Sequence, residues 1–282
     1  MTLKEVYRKI LEQAQSIYSL SEATTMTDWI FENVADVQRA DIIKTPDLEI
    51  SQSILAELDN RLHQLLLHKP IQYILGEAWF YDMKLKVDEH VLIPRPETEE
   101  LVSMIITNHE ENVPKILDIG TGSGCIPIAL KKHLPAAIIT SIDISEGAIL
   151  LAKENAMIQE TVIEFIHSDF LDEKSWINFP TFDVIVSNPP YIPLSEKEKM
   201  DKNVTAFEPH LALFVPDNDP LLFYRKIAQF GKKHLNVDGK IYLETHEDHA
   251  KETAALFTSL AYEQVIIKED MFGKERMVIV QQ

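Results

Sequence analysis

The tetrapeptide Asn188-Pro189-Pro190-Tyr191 has the residue types needed to hold a planar nitrogen for chemistry. Its prolines fix the backbone and remove two N–H donors, so the carbonyl groups of the segment are rigid and free to accept hydrogen bonds. An amide nitrogen is a poor nucleophile because its lone pair is delocalised into the carbonyl. A site that accepts both N–H bonds, through the Asn188 side-chain oxygen and the Pro189 carbonyl, would aim that lone pair at an electrophile while Tyr191 flanks the planar group. The alternative is a rigid turn without chemistry, since Asn-Pro is a good turn former.

A glycine-rich turn is the second candidate. Residues 116–124 read Ile-Leu-Asp-Ile-Gly-Thr-Gly-Ser-Gly, so a buried strand leads into a turn where a ligand can approach the backbone without meeting a Cβ atom. The dinucleotide fingerprint GxGxxG needs its third glycine where this chain has Cys125, and no Gly-Lys-Ser/Thr follows as in a P-loop. We therefore predict a cofactor of another kind, with a purely structural turn as the alternative. Its contacts would be Gly120, Thr121, Gly122, Ser123 and Gly124.

Carboxylates near this turn indicate which cofactor it is. Asp118 precedes the glycines and suits a ligand with an ammonium group, as in the methionine part of S-adenosylmethionine. An alternative of equal weight is that Asp118 accepts hydrogen bonds from the backbone amides of the turn. Asp143 follows the turn by about the 20 residues expected of a ribose-binding acid, and Ser145 is a better helix cap than Asp143 is. Asp169 and Phe170 would contact the adenine, the alternative being a loop acid and a core phenylalanine. The predicted cofactor is S-adenosylmethionine.

The elements that position these residues alternate between strand and helix. This alternation predicts a doubly wound, mainly parallel α/β sheet. In such a sheet the carboxyl ends of the strands line the ligand crevice, and both candidate segments follow strands directly. The predicted strands are Lys115–Ile119, Ile138–Asp143, Ile163–His167, Phe182–Ser187, Lys240–Glu244, Gln264–Lys268 and Met277–Val280.

The residues before this sheet differ in character. Apolar residues recur at helical spacing from Thr2 to Leu20, and further helices are expected from about Thr25 to Val37 and from Ser51 to Leu67, with Ser51 or Ser53 as the cap. Aromatic and apolar residues from Gln72 to Leu92 favour a β-hairpin or extended linker. A proline-rich stretch then precedes a helix ending near Asn108. The predicted domains are a helical domain at 1–75, a hairpin linker at 76–92 and the α/β domain at 93–282.

Composition limits the class of protein. The 282 residues include a single cysteine, Cys125, which excludes an internal disulfide and a cysteine-rich metal site; no metal is expected. We find no apolar run near the roughly 20 residues of a membrane span, and the mixed charges of residues 1–9 do not resemble a signal peptide. A cytoplasmic protein is therefore expected. The net charge of −18 argues against direct nucleic-acid binding, which usually requires a basic face.

The combined motifs resemble the HemK/PrmC family of peptide chain release factor glutamine methyltransferases. The resemblance covers nearly the whole chain, and the glycine turn and Asn-Pro-Pro-Tyr are shared with other methyltransferases. The resemblance also includes Gln72-Tyr73-Ile74-Leu75-Gly76, Ile93-Pro94-Arg95-Pro96-Glu97-Thr98-Glu99 and Glu208-Pro209. The combination of those motifs with the Arg-Pro-Glu-Thr-Glu segment at 95–99 and the N-terminal helical domain is much more specific. Asp82, where the family often has glycine, and the loop 216–220 depart from the pattern and leave local loop shape open.

The resemblance implies a Rossmann-like class I methyltransferase sheet that follows a small helical domain. The implied reaction transfers a methyl group from S-adenosylmethionine to the glutamine side chain in the Gly-Gly-Gln motif of release factors. The helical domain would recognise this protein substrate, and Arg95, Asn188, Pro189, Pro190 and Tyr191 would contact it. Two other functions compete: an amino-methyltransferase acting on RNA or DNA bases, and a non-catalytic protein that binds a cofactor or partner.

Overall fold

The computed structural model describes residues 1–109 and 113–281. Its first half contains α1 Leu3–Ala14, α2 Leu20–Ala35, α3 Arg39–Lys44, α4 Gln52–Leu66, α5 Ile71–Leu75, β1 Glu77–Phe80, β2 Met83–Lys86, α6 Pro96–His109, β3 Lys115–Ile119, α7 Cys125–His133 and β4 Ile138–Asp143. Its second half contains α8 Glu146–Ile158, β5 Glu164–His167, β6 Phe182–Ser187, β7 Ile192–Pro193, α9 Lys202–Phe207, α10 His210–Leu213, β8 Phe214–Val215, α11 Leu222–His234, β9 Leu235–Glu244, α12 Ala250–Ser259, β10 Gln264–Glu269 and β11 Glu275–Gln281.

One compact unit comprises residues 1–76 and 201–207. Helices α1 and α2 each begin with a capping box, Thr2 with Glu5 and Ser19 with Glu22, in which side chains satisfy the free N–H groups of the first turn. Their apolar faces meet those of α4 and α5. The core that they share includes Leu3, Val6, Ile10, Ile30, Phe31, Leu58, Leu62, Leu65 and Ile74.

The second unit comprises residues 77–200 and 208–282 and is built on a sheet. Among the described residues, seven strands pair in the order β10-β11-β9-β6-β3-β4-β5. Strands β9, β6, β3, β4 and β5 are parallel, and β11 is antiparallel to β9 and β10. Strands β3 and β6 are mainly apolar and almost wholly buried, as expected for central parallel strands covered on both faces. The predicted doubly wound α/β fold is confirmed.

Several predicted boundaries are wrong. The helix expected over Thr2–Leu20 ends at Ala14, because Ser19 caps a new helix. Residues 71–75, expected in part as extended chain, form α5, which ends at Gly76 with φ +75°. Strand β9 begins at Leu235 rather than Lys240, with Asp238 in the left-handed conformation where the pairing register shifts. Helix α3 is absent from the sequence prediction.

The predicted hairpin is present as β1 and β2, joined by Tyr81 and Asp82. Both residues have positive φ, 49° and 59°, which is the geometry of a type I′ turn. Aspartate tolerates this conformation better than most residues, so Asp82 can replace the glycine that the family often has there. The Tyr81 amide donates to Glu99 Oε1 at 2.9 Å and thereby fixes the turn on α6.

Asn155 joins the hairpin to the glycine turn. Its side chain on α8 is fully buried and accepts from the Lys86 amide at 2.7 Å. The same side chain donates to the Lys86 carbonyl at 2.9 Å and to the Ser123 carbonyl at 2.9 Å. One amide group therefore satisfies three backbone groups from two segments that are distant in sequence.

No helix within residues 1–109 and 113–281 has the length and apolar character that crossing a bilayer requires.

Replacing Asn155 with alanine should destabilise the second unit. Three backbone groups would lose their partner, and each unsatisfied buried group costs about 1–3 kcal/mol. Urea unfolding should therefore show a loss of at least that size. Gln159→Ala is the matched control, because Gln159 directly follows the same helix as its C-cap and donates to the Lys84 carbonyl of the same strand through an exposed hydrogen bond. Equal losses in the two variants would contradict the role given to Asn155.

Candidate functional site

A cavity of about 330 Å³ opens at the carboxyl ends of β3, β4 and β6. The chain runs outward from β3 to β5 and then returns to β6 on the other side of β3, so this is the point where the strand order reverses. Ligands of open α/β sheets bind at such a point. The predicted site residues that line the cavity are Arg95, Gly120, Thr121, Gly122, Ser123, Asp143, Asp169, Phe170, Asn188, Pro189 and Pro190.

Three predicted site residues are not among the described residues that line this cavity: Asp118, Gly124 and Tyr191. Gly124 has φ +81° and precedes α7. A Cβ atom there would lie 3.0 Å from Ile128 Cδ1 and 3.2 Å from Ala152 Cβ, so this glycine permits close packing of α7 against α8. Its contact with a cofactor stays a prediction.

The first two glycines shape the wall of the cavity. Gly120 and Gly122 have φ values of +81° and +52°, which favour glycine. The Gly120 and Thr121 amides both donate to the Ile142 carbonyl, at 2.9 and 3.0 Å. These bonds tie the turn after β3 to the end of β4. A Cβ atom added to either glycine would meet no atom within 4 Å, so both backbones face open space.

Asp143 occupies the end of β4. Its Oδ2 accepts from the Gly122 amide at 2.9 Å and its Oδ1 from the Ser145 amide at 2.8 Å. Burial raises the pKa of Asp143, although these backbone hydrogen bonds oppose the rise. Ser145 is the cap of α8, since its hydroxyl accepts from the Ala148 amide at 3.2 Å. Asp143 is thereby free of the capping role and lines the cavity as an oriented carboxylate.

Asp118 lies beneath the glycine turn and is fully buried. Its Oδ2 accepts from the Ser141 hydroxyl at 2.5 Å, while Oδ1 has no hydrogen-bonding partner among the described residues. Burial raises the pKa of Asp118 to about 7. The Thr121 hydroxyl interacts with Asp118 and the Ser123 hydroxyl with Cys125, but neither makes a hydrogen bond of ordinary geometry in the described part of the chain. Unsatisfied buried polar atoms are rare in folded proteins, so the polar groups of this turn are candidates for contact with a ligand.

Asp169 and Phe170 follow β5. Asp169 Oδ1 accepts from the Leu171 amide at 2.8 Å. Phe170 is only 5% exposed and packs against Trp176 and Phe230, with ring centroids 5.4 and 5.5 Å away. Phe170 therefore belongs to the core as well as to the cavity wall, and its predicted contact with adenine would involve the small part of the ring that the core leaves uncovered.

A chain of hydrogen bonds joins Asn188 to Thr98, which also lines the cavity, and then to the buried Glu244. Asn188 Nδ2 donates to Thr98 Oγ1 at 3.1 Å, and the Thr98 hydroxyl donates to Glu244 Oε2 at 2.6 Å. The Tyr191 hydroxyl donates to Glu244 Oε1 at 3.3 Å. Burial raises the pKa of Glu244 to about 6. Burial also raises the pKa of the Tyr191 hydroxyl well above its ordinary value. Tyr191 thus contacts this network through its hydroxyl, and its contact with a substrate stays a prediction.

Arg95 pairs with a buried acid. Its Nη2 lies 2.6 Å from Glu208 Oε1, and the other oxygen of Glu208 accepts from the Ile93 amide at 3.3 Å. The Glu208 side chain is 1% exposed, whereas that of Arg95 is 33% exposed. The ion pair therefore fixes Arg95, which lines the cavity and keeps part of its side chain exposed.

Sequence reasoning missed the roles of Thr98, Glu208 and Glu244. Thr98 and Glu208 occurred only within motifs, and Glu244 only as the end of a predicted strand. A carboxylate that directly follows the buried run Ile241-Tyr242-Leu243 of a parallel strand is a signal that could have identified Glu244, because that end of the strand faces the ligand crevice. Within residues 1–109 and 113–281, no cluster of histidine, cysteine, aspartate and glutamate is suited to hold a metal ion.

The Asp118 carboxyl should make stability depend on pH. In the unfolded chain it ionises near pH 3.8, but in the folded protein its pKa is about 7. The folded state therefore binds the extra proton between these values, and the free energy of unfolding falls as pH rises through this range, by about 1.4 kcal/mol per unit of pKa difference.

Asp118→Asn should lack the pH dependence of the unfolding free energy that is due to Asp118. The stability of this variant should therefore rise relative to that of the wild type between pH 4 and pH 7. Urea unfolding at several pH values measures it. Glu263→Gln, which removes an exposed carboxylate, should leave the pH dependence unchanged. Parallel curves for Asp118→Asn and wild type would show that Asp118 is already ionised in the folded protein.

Comparison with known proteins identifies the family. The PrmC N-terminal domain profile matches residues 5–76, and the methyltransferase small domain profile matches residues 97–206. The release factor glutamine methyltransferase of Flavobacterium psychrophilum is 42% identical over 99% of both chains, and that of Lactococcus lactis is 47% identical over 84% of both. A methyltransferase from Pyrococcus furiosus shares the fold, with 19% identity and a TM-score of 0.52 over 79% of this chain and 98% of that chain. This chain belongs to the release factor glutamine methyltransferase family.

Proposed function

We propose that this protein transfers a methyl group from S-adenosylmethionine to the side-chain nitrogen of the glutamine in the Gly-Gly-Gln motif of peptide chain release factors. The observation that carries the proposal is the position of Asn188. Its amide group is held by Thr98 and lines the same cavity as the glycine turn and Asp143. A methyl acceptor and a cofactor would therefore meet in one space.

The residues of the cavity suit S-adenosylmethionine. The Asp143 carboxylate keeps lone pairs beyond those used by two backbone amides, and these can accept from ribose hydroxyls. Gly120 and Gly122 leave open space in which a ligand can approach the backbone. The unpaired Asp118 Oδ1 lies below the same turn, where a nearby ammonium group would favour the ionised carboxylate. When bound, the cofactor supplies a methyl group already activated by its sulfonium.

The acceptor residues would contribute by orienting the carboxamide of the substrate. Asn188 Oδ1 and the Pro189 carbonyl would each accept one N–H of the substrate carboxamide. With both N–H bonds held in place, the nitrogen would present its lone pair perpendicular to the plane of the amide. No strong general base would be needed to begin the transfer. The nitrogen would gain the methyl group as the methyl–sulfur bond breaks, which leaves a neutral thioether, and it would then release one proton to water. Positioning and preorganised acceptors supply the main catalytic effect.

The substrate assignment rests on the relatives and on charge. The family members are named for glutamine methylation of release factors. The net charge of −18 disfavours a bare nucleic acid as the substrate, because binding phosphates requires a positive surface. The helical unit at residues 1–76 would recognise the release factor, and the partly exposed Arg95 would contact its tip. The reaction would take place in the cytoplasm.

Asp143→Ala should weaken S-adenosylmethionine binding. Loss of the carboxylate leaves ribose hydroxyls unpaired and releases Gly122 from its hydrogen bond, at a cost of about 1–3 kcal/mol, or about 5- to 150-fold in Kd. Isothermal titration calorimetry measures this. Glu146→Ala removes an exposed carboxylate at the start of α8 and should leave the Kd unchanged. Tight binding of NAD by the wild type, without binding of S-adenosylmethionine, would contradict the cofactor assignment.

Asn188→Ala should lower the rate of methylation by about 10²–10³, the usual effect of losing one preorganised polar contact at the reacting group. The measurement is single-turnover transfer of labelled methyl to a release factor, with saturating S-adenosylmethionine. Cofactor affinity should change much less, since Asp143 and the glycine turn would supply most of it. Asn178→Ala, an exposed asparagine of the same unit, is the matched control.

Two further substrates decide between the functions. A release factor whose Gly-Gly-Gln glutamine is replaced should acquire no label, and neither should bare RNA or DNA. Label on nucleic acid alone would establish an amino-methyltransferase of bases. Absence of transfer to any of these substrates, with S-adenosylmethionine bound, would indicate a protein that binds the cofactor without turnover.

A further inference from the structure

We infer that Glu244 and Thr98 are positioning residues that determine which end of the Asn188 amide faces the substrate. Neither residue would touch the reacting nitrogen. They would act through Asn188 by fixing the direction of a hydrogen-bonded chain. The inference deepens the proposed function and rests on it, since it matters only if Asn188 accepts an N–H from the methyl acceptor.

Glu244 sets the order of donors and acceptors along this hydrogen-bonded chain. This side chain is 1% exposed, and an ionised carboxylate can only accept hydrogen bonds. Its two oxygens accept hydrogen bonds from the Thr98 hydroxyl at 2.6 Å and from the Tyr191 hydroxyl at 3.3 Å. The short distance to Thr98 is typical of a charge-assisted bond. The single proton of the Thr98 hydroxyl is therefore committed to Glu244.

Thr98 then dictates the orientation of Asn188. With its proton donated, Thr98 Oγ1 offers only lone pairs, and it accepts from Asn188 Nδ2 at 3.1 Å. The reversed amide would place Oδ1 against Oγ1, which brings two acceptors together and leaves a buried group unpaired. Such a loss corresponds to a preference of about 5- to 150-fold for the observed orientation. Asn188 Oδ1 is consequently the end that remains available to accept.

The network joins separate parts of the sheet unit. Thr98 lies in the first turn of α6, Asn188 follows β6, and Glu244 ends β9. The Tyr224 hydroxyl on α11 donates to the Glu244 main-chain carbonyl at 3.1 Å, which also fixes the backbone from which the carboxylate extends. Because Thr98 is 2% exposed, solvent cannot readily replace its hydroxyl as a partner for Asn188. Orientation of the amide is therefore built into the folded state before substrate arrives.

The first test is a double-mutant cycle between Thr98 and Asn188. Thr98→Val keeps the shape of the side chain but removes the hydroxyl, and should lower the single-turnover methylation rate about tenfold, as expected for one hydrogen bond. Thr98→Ser keeps the hydroxyl and should retain most of the rate. In an Asn188→Ala background, Thr98→Val should have no further effect, because there is no amide left to orient.

The cycle separates positioning from a structural role. If Thr98 only stabilises the fold, its substitution slows the reaction by the same factor with and without Asn188, and that additive result would overturn the inference. Urea unfolding of each variant and its Kd for S-adenosylmethionine verify that the compared proteins are folded and loaded. Absence of methylation by the wild type would instead overturn the proposed function, and the inference with it.

Glu244→Gln gives a second test that does not depend on the Thr98 variants. Glutamine is almost isosteric with glutamate, but its side-chain amide can donate to Thr98 Oγ1 and so permits the reversed order of donors. The methylation rate should fall while the Kd for S-adenosylmethionine is kept, and this loss should also vanish in the Asn188→Ala background. An unchanged rate in folded Glu244→Gln would show that the carboxylate does not set the direction.

Discussion

The parallel pairing of β3 with β6 is the constraint on which the site depends. Ile119 and Ser187 are partners in this register, and the Ser187 hydroxyl donates to the Ile119 carbonyl at 2.7 Å. The two strands are therefore joined at the same end. One strand continues into the glycine turn and the other into Asn188 and the prolines. A shift of the register by one residue would reverse the faces of β6 and move Asn188 away from the turn.

Much of this arrangement follows from sequence because it depends on local signals. The apolar strands, the glycine turn and the prolines are each recognisable within a few residues, and the rule that strand ends form the crevice brings them together. The N-terminal helices were less well defined. A continuous apolar stripe did not reveal the break after Ala14, which is set by the Ser19 capping box. Here a polar side chain at the helix start outweighed the hydrophobic periodicity.

The side chains that hold the site could not be predicted in the same way. Thr98 and Glu244 are 146 residues apart in sequence, and Asn155 contacts Lys86 across 69 residues. Neither pair follows from helical or strand periodicity, because each depends on how α6 and α8 pack against the completed sheet. Buried polar groups require partners, so the sequence indicates that such residues need a contact without indicating which one. The tertiary fold supplies that choice.

The two acceptors proposed at Asn188 and Pro189 would select the type of nitrogen but not the molecule that carries it. Two acceptors are satisfied by a group with two N–H bonds, whereas a hydroxyl would satisfy one and leave the other unpaired, at a cost of about 1–3 kcal/mol. The exocyclic amine of a base also has two N–H bonds and would fit the same pair of acceptors. Discrimination between protein and nucleic acid must therefore arise outside the tetrapeptide. The net charge of −18 opposes a phosphate backbone, so long-range repulsion can provide a selectivity that the hydrogen-bonding chemistry does not.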